Sequence, residues 1–300
     1  MNNSPLPQQG KPIAIFGEAL FDRFPDGQAI LGGAPFNVAW HLTAFMQNPC
    51  FISRIGQDAT GDNIKQAMLD WGMTIENLQL DPDYPTGTVQ VIFNKGEPSY
   101  DILANQAYDF IAQPVPSNRY FSVIYHGTLA LRNSRSLQTL QNLIADHQGL
   151  IFIDVNLRDP WWDRITVNRC LSQAHWAKLN EDELNRLAPE LPLQEAIKWL
   201  LTEHELTTVV VTCGSKGAIA VNTLGEFIEV VPTEGLTVKD TVGAGDAFSA
   251  VLLLGMVQNW PLPLTMERAQ TFASVIVTLQ GATVQDLSFY QPFIKVWDFA

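Results

Sequence analysis

Late in the chain stands Asp240-Thr241-Val242-Gly243-Ala244-Gly245-Asp246-Ala247-Phe248, which runs directly into the apolar stretch AFSAVLLLG. Small residues at Gly243, Ala244 and Gly245 let a backbone approach a ligand closely, and a helix that begins there aims its unpaired N–H groups at the same point. Such a cradle suits an anion. Asp246 then stands in the wrong place unless it has work of its own, since a carboxylate beside the cradle repels its ligand. As a first-turn acid it can simply complement the helix dipole. The other reading explains both features: the N–H groups stabilise charge on a transferring phosphoryl group while Asp246 accepts the proton of an attacking hydroxyl.

Elements that can position such a site are legible in the apolar runs. Short β-branched stretches predict strands at Ile13–Phe16, Cys50–Ile55, Ser122–Tyr125, Leu150–Val155, Trp176–Leu179, Thr208–Thr212 and Ala218–Val221. Amphipathic segments between and after them, at Asn63–Trp71, Ser136–His147, Pro192–His204 and Ala247–Val257, predict helices. Repeated strand-then-helix order gives an α/β fold of three layers around a mostly parallel sheet. Ligands of such sheets collect beyond the carboxyl ends of the strands. The residues there are polar or glycine: Gly17 and Glu18, Arg54 and Gly56, His126 and Gly127, Asp154 and Asn156, Asn180, Thr212 and Gly214.

Two segments break the alternation. About residues 19–31 and 88–109 have a period of two and turn pairs at Asp26-Gly27 and Asn94-Lys95-Gly96, so they read as antiparallel hairpins. Together they predict a small β lid, inserted discontinuously into the N-terminal half of one 1–300 domain. The Pro/Gln-rich first ten residues read as a tail.

Composition narrows the function classes. The chain has 300 residues, 46% of them hydrophobic, and a net charge of −13, a field that repels a phosphate backbone and argues against nucleic acid. An anionic substrate therefore needs a local positive or dipolar site. Three scattered cysteines and no signal-peptide or membrane-spanning run fit a soluble, cytoplasmic protein. GxxxxGK[ST], HExxH, paired CxxC and GxSxG motifs are absent.

Two stretches carry a resemblance. Asp-Thr-x-Gly-Ala-Gly-Asp-Ala-Phe at 240–248 looks like the C-terminal signature of the ribokinase-like (PfkB) family of carbohydrate kinases, and Leu31-Gly32-Gly33-Ala34-Pro35-Phe36-Asn37-Val38-Ala39 resembles its N-terminal one. Weaker counterparts are Gly17–Asp22, HGTLALR at 126–132, DVNLR at 154–158, KLNEDE at 178–183 and TCGSKGA at 212–218. The resemblance implies a ribokinase-like core, a sugar kinase activity with ATP as co-substrate and Mg²⁺ as cofactor, and optionally a monovalent cation. The exposed edges of a β lid could pair, which would give a homodimer through the lid.

The resemblance also implies roles, residue by residue. Asp246 is the base and Gly243, Ala244 and Gly245 form the anion hole. Asp22, Gly32, Gly33 and Asn37 contact the sugar, with His126 and Arg158 as softer additions. Asn180, Thr212, Gly214, Lys216 and Gly217 lie on the nucleotide side, and Glu183 holds Mg²⁺ largely through water. Bland readings stand beside these: a hairpin Asp for Asp22, a helix cap for Asn37, an acidic first helical turn for Glu183, a solvated Lys216 and a structural His126. Gly33-Ala34-Pro35-Phe36-Asn37 and DVNLR lean towards fructokinases, but Ser99-Tyr100-Asp101-Ile102-Leu103-Ala104-Asn105 lacks the Arg and Asp that many fructokinases carry in the lid. Fructose is the expected substrate, with 2-keto-3-deoxygluconate, ribose, a nucleoside and a non-catalytic sugar-binding homologue as alternatives.

Overall fold

A computed structural model describes residues 10–94, 97–114, 120–145 and 147–299. Its strands are β1 (Ile13–Phe16), β2 (Leu20–Arg23), β3 (Ala29–Gly32), β4 (Cys50–Gly56), β5 (Leu78–Asp81), β6 (Gly87–Asn94), β7 (Glu97–Ile102), β8 (Val123–His126), β9 (Leu150–Asp154), β10 (Trp176–Asn180), β11 (Thr208–Thr212), β12 (Ala218–Asn222) and β13 (Phe227–Val230). The helices are α1 (Ala34–Ala44), α2 (Ala59–Asp70), α3 (Ser134–Ala145), α4 (Arg164–Leu171), α5 (Glu181–Leu187), α6 (Leu193–Glu203), α7 (Ala244–Gln258), α8 (Leu262–Ile276) and α9 (Gln291–Trp297).

Nine strands form the large sheet in the order β13-β12-β11-β10-β9-β8-β1-β4-β5, parallel from β11 through to β5 and antiparallel only at the β11–β12 and β12–β13 pairs. Both faces are covered, so its central strands have no polar side. In β1, Ile13 and Ile15 pack into one core with α1, α7, α8 and α9, while Ala14 and Phe16 pack into the other with α3 to α6. That is the three-layer arrangement expected. The order reverses where β1 lies between β8 and β4, and a sheet of this kind opens its ligand crevice near such a reversal.

Several elements escape the apolar-run criterion for physical reasons. β5 (LQLD) and β13 (FIEV) are edge strands with mixed exposure, so their sequences are half polar. Helix α1 is buried nearly all round and shows no amphipathic stripe.

A second sheet of four strands has the order β3-β2-β6-β7. Both hairpins are antiparallel, the first closed by Gly27 at φ 90 with the Gln28 N–H on Asp26 Oδ1 at 2.9 Å. The pairing between hairpins, β2 with β6, is parallel, because both strands leave the core side by side in register, Leu20 opposite Gly87. Residues 107–109, read as part of the second hairpin, belong to a 3-10 turn at Ala107–Phe110. Residues 95 and 96 of the expected 94–96 turn, and 1–9 of the expected tail, lie outside the described residues.

The root of β6 is fastened to the core. Asp58, the N-cap of α2, accepts from the Gly61 N–H at 2.8 Å, the Thr86 N–H at 2.8 Å and the Thr86 hydroxyl at 2.8 Å, while Thr86 Oγ1 accepts from the Gly56 N–H at 2.9 Å. One carboxylate thus ties the end of β4, the head of α2 and the residue before β6.

Candidate active site

Above the carboxyl ends of β9, β10 and β11 lies a cavity of about 880 Å³, lined from both sheets and from the head of α7. Its volume is within the range of small-molecule sites.

The head of α7 is shaped by two tethers. Gly243 is its N-cap in the left-handed region, φ 79 and ψ −5, and a side chain there would meet Ala282 Cα at 2.4 Å. Asp240 Oδ1 accepts the Val242 N–H at 3.0 Å and its Oδ2 the Gly281 N–H at 2.9 Å, so the loop is strapped to residues 281–282. From Ala247 to Met256 the helix is buried, which fixes its axis rigidly behind the loop. Ala247 is the first residue to bond back to the cap, onto Gly243 O at 2.9 Å, and the Ala244 N–H reaches Thr241 O only at 3.4 Å. The earliest N–H groups are left facing the cavity, a ready place for an anion.

Asp246 lines the cavity one turn in, and its Oδ2 accepts the Asn37 Nδ2–H at 2.7 Å. Asn37 is therefore no helix cap: it lies inside α1, whose cap is Gly33. Burial raises the Asp246 pKa to about 6, and Asp154 adds to the rise, while the Asn37 hydrogen bond, Lys178 and Arg158 oppose it. A carboxylate held near 6 is ionised at neutral pH yet basic enough to take a proton.

Asp22, Gly33, Asn37 and Arg158 line the same end of the cavity. Burial raises Asp22 to about 6, against the field of Arg158. At Gly33, φ is 107 and a Cβ would lie 2.7 Å from Glu18 O, so only glycine fits. Gly32 is not part of the lining, though a Cβ there would point between Asp22 Oδ2 at 3.7 Å and Asn37 Oδ1 at 3.9 Å. His126 departs from expectation. It is buried under the strand end with Nδ1 against Gly127 O at 2.9 Å, outside the lining, and burial lowers its pKa to about 4. Its Nε2 is buried without a hydrogen-bond partner, so the fold sets the ring outside the cavity wall without satisfying both nitrogens.

Asn180, Glu183, Thr212, Gly214 and Gly217 line the far end. Lys216 is turned away, exposed, with Nζ 3.4 Å from Glu181 Oε2. Asn180 and Glu183 form a capping box: Asn180 Oδ1 accepts the Glu183 N–H at 2.8 Å and Glu183 Oε2 the Asn180 N–H at 2.9 Å, while Glu183 Oε1 takes the Leu157 N–H at 2.7 Å. Each Glu183 oxygen already has one backbone donor, and among the described residues no cluster of three His, Cys, Asp or Glu could hold a metal directly. These donors fit an ion that arrives bound to phosphate and is met through water.

Three lining residues were named in the sequence without a role. Glu18 is 2% exposed, its Oε2 has no hydrogen-bond partner, and burial raises its pKa to about 7. Lys178 and Asp154 form a buried pair at 2.7 Å directly beneath the glycine loop. The sequence signal for Lys178 was a lysine inside the buried strand WAKLN, where a charge needs a partner.

Comparison with known proteins agrees with this geometry. The model of the pfkB family of carbohydrate kinases matches residues 17–287. The chain belongs to that family. As a PfkB carbohydrate kinase it is a phosphotransferase, and its large sheet with a separate small one is the ribokinase-like fold. It is 28% identical over 291 residues to a fructokinase of Klebsiella pneumoniae, covering 90% of this chain and 94% of that one. It is also 28% identical over 290 residues to an aminoimidazole riboside kinase of Salmonella typhimurium, covering 90% of each. Among solved structures, the fructokinase of Vibrio cholerae O395 bound to fructose, ADP and calcium superposes with a TM-score of 0.81 at 26% identity, covering 95% of this PfkB chain and 99% of that one. No helix among the described residues is long and apolar enough to cross a membrane.

Proposed function

We propose that this kinase transfers the γ-phosphoryl group of ATP to a hydroxyl of a small neutral sugar, with fructose the first candidate. The observation that carries the reading is Asp246 at the head of α7, beside free N–H groups and held by Asn37 at 2.7 Å. A base and an anion cradle share one end of one cavity.

The sugar lies among Asp22, Gly33, Asn37 and Arg158, and the nucleotide extends towards Asn180, Thr212, Gly214 and Gly217. Asp22 and Asn37 accept and donate to sugar hydroxyls, setting the reacting oxygen against Asp246. Asp246 takes the hydroxyl proton as that oxygen attacks phosphorus, and the N–H groups of Gly243, Ala244 and Gly245 receive the charge that spreads over the phosphoryl oxygens. Mg²⁺ carried by ATP supplies charge neutralisation, with Asn180 and Glu183 meeting it through water. The small sheet contributes Leu20, Asp22, Val89, Tyr100 and Ile102 to the lining and acts as a lid that keeps water from the phosphoryl group.

Two carboxylates, Asp22 and Asp246, and the Glu18 carboxyl, half ionised near pH 7, face one guanidinium, Arg158, at the sugar end. That balance favours a neutral polyol over a sugar acid. Relatives at equal identity are named for fructose and for a riboside, so both belong in the test.

ADP release from Mg·ATP is measured with fructose, ribose, a riboside and 2-keto-3-deoxygluconate, with Asp246→Asn beside the wild type. The expected result is turnover of fructose and a fall of about 10²–10⁴ in kcat for Asp246→Asn, with nucleotide affinity nearly intact. Near-normal kcat in that variant refutes the base. Preference for the sugar acid, abolished in Arg158→Ala, refutes the neutral-sugar reading.

A further inference from the structure

A protein of net charge −13 repels ATP, and helix N–H groups are partial charges only. The cation expected at the nucleotide loop, Lys216, points to solvent. Another takes the place beneath the cradle. Lys178 sits mid-strand in β10, 5% exposed, and lines the cavity together with Gly245. A Cβ built on Gly245 would lie 3.3 Å from Lys178 Nζ. The ammonium therefore rests against the second glycine of the loop, close enough to Asp246 for its field to act there.

Its placement is built in rather than incidental. Parallel pairing of β9 and β10 sets Lys178 beside Asp154, and Lys178 Nζ donates to Asp154 Oδ2 at 2.7 Å. The same oxygen accepts from Ser249 Oγ at 2.7 Å, one turn further along α7, and from Tyr125 OH at 3.2 Å on β8. Three donors converge on one carboxylate oxygen, which spreads its charge and leaves it a weaker counterion for the lysine. An ammonium has three protons, and one is given to Asp154. Among the described residues no acceptor takes the other two.

We propose that Lys178 is a catalytic residue that contacts the transferring phosphoryl group from below the Gly-Ala-Gly loop, and that Asp154, Ser249 and Tyr125 are positioning residues that hold its ammonium there. The inference rests on the phosphoryl-transfer reading above. In the step, the bond from the acceptor oxygen to the γ-phosphorus forms and the bond to the β,γ-bridging oxygen breaks. The bond pair leaves with ADP, and the acceptor's proton passes to Asp246. Lys178 keeps its own proton and neutralises charge on the oxygens that move.

Two variants separate this role from a buried ion pair that serves folding alone. Lys178→Met removes the cation, and Lys178→Met with Asp154→Asn removes both charges, so that no unpaired carboxylate is left buried. Both are compared with wild type for Mg·ADP binding with and without aluminium fluoride, a stand-in for the moving phosphoryl group, and for kcat on the sugar the wild type uses. Fluoride-complex binding needs no sugar, so it decides the role of Lys178 even if the sugar assignment fails.

The expected result is that both variants bind ADP within about threefold of wild type, lose the tightening by aluminium fluoride, and drop kcat by about 10²–10³, the worth of one strong contact to developing charge. Ser249→Ala should lower kcat several-fold at unchanged KM for ATP. Recovery of fluoride-complex affinity in the neutral double variant would overturn the proposal, since the lysine would then matter only as a partner for Asp154. So would full tightening in Lys178→Met.

Discussion

The two glycines of the anion cradle should fail in different ways, and the contrast tests the geometry of the loop. Gly243 caps α7 at φ 79, and an added Cβ would lie 2.4 Å from both Cα and Cβ of Ala282. A left-handed conformation costs a residue other than glycine about 1–2 kcal/mol. Overpacking against backbone that cannot rotate away adds about 1–3 kcal/mol. Ala282 is poorly free to move, since its carbonyl oxygen lies 3.0 Å from His41 Nε2 and Asp240 straps Gly281. Gly243→Ala should thus lose about 2–5 kcal/mol, or about 3–8 °C of Tm for a chain of this size. Gly245 has no left-handed φ, and its Cβ would meet only Lys178 Nζ at 3.3 Å, the movable end of a side chain. Alanine there gains up to about 1 kcal/mol of helix propensity, so Gly245→Ala should melt at or slightly above the wild type. Its methyl group, however, enters the space given to phosphate and pushes on the ammonium, and kcat should fall at least tenfold. Differential scanning fluorimetry and steady-state kinetics on the two proteins read both effects. If Gly243→Ala melts with the wild type, the loop is looser than its contacts state. If Gly245→Ala melts normally and keeps its kcat, the phosphoryl group does not approach that backbone.

Two further outcomes follow from other parts of the structure. Asp246 must be ionised to accept a proton, and burial places its pKa at about 6, so activity is lost on the acid side. The logarithm of kcat/KM should fall below that value, to about one-tenth of the plateau or less at pH 5 and more steeply than one group alone gives, because Asp22 is raised to about 6 as well, and a profile flat to pH 5 would remove Asp246 as the titrating base. At the root of β6, Thr86→Val deletes a hydroxyl that donates to Asp58 at 2.8 Å and accepts from Gly56 at 2.9 Å, leaving buried groups unsatisfied at a cost of about 1–3 kcal/mol. KM for the sugar should rise several-fold while the Kd for ADP holds, and Thr86→Ser, which keeps both bonds, should behave as wild type; equal KM values in all three proteins would detach this clamp from sugar binding.

The phosphotransferase class was legible because the two stretches that carry the family resemblance, 31–39 and 240–248, are each contiguous, and the anion cradle lies within the second. Gly243 to Asp246 are consecutive, and both the small residues and the helix that follows are written in one stretch. Strands buried on both faces were legible too, since short β-branched apolar runs alternating with amphipathic segments have few other uses. Residues whose role depends on long-range neighbours could be named but not assigned. Asn37 could also be read as a cap until α1 set it 2.7 Å from Asp246, a contact across 209 positions. His126 stands at a strand end like its polar neighbours, yet side chains alternate across a sheet, and only the packed fold shows that this one turns under the cavity. Lys216 lies in a loop of the right composition, and only the fold shows its ammonium exposed beside Glu181.

What the sequence determined by itself, then, is the chemistry carried by contiguous backbone: the glycine loop, its helix, and the strand-ends where a ligand must lie. The tertiary structure alone decided which charges meet. Lys178 and Asp154 are adjacent because β9 and β10 pair in one register and not another, and Ser249 joins them because α7 packs over that sheet. Register and packing are sums over many weak contacts between distant segments, and no single stretch of sequence contains them.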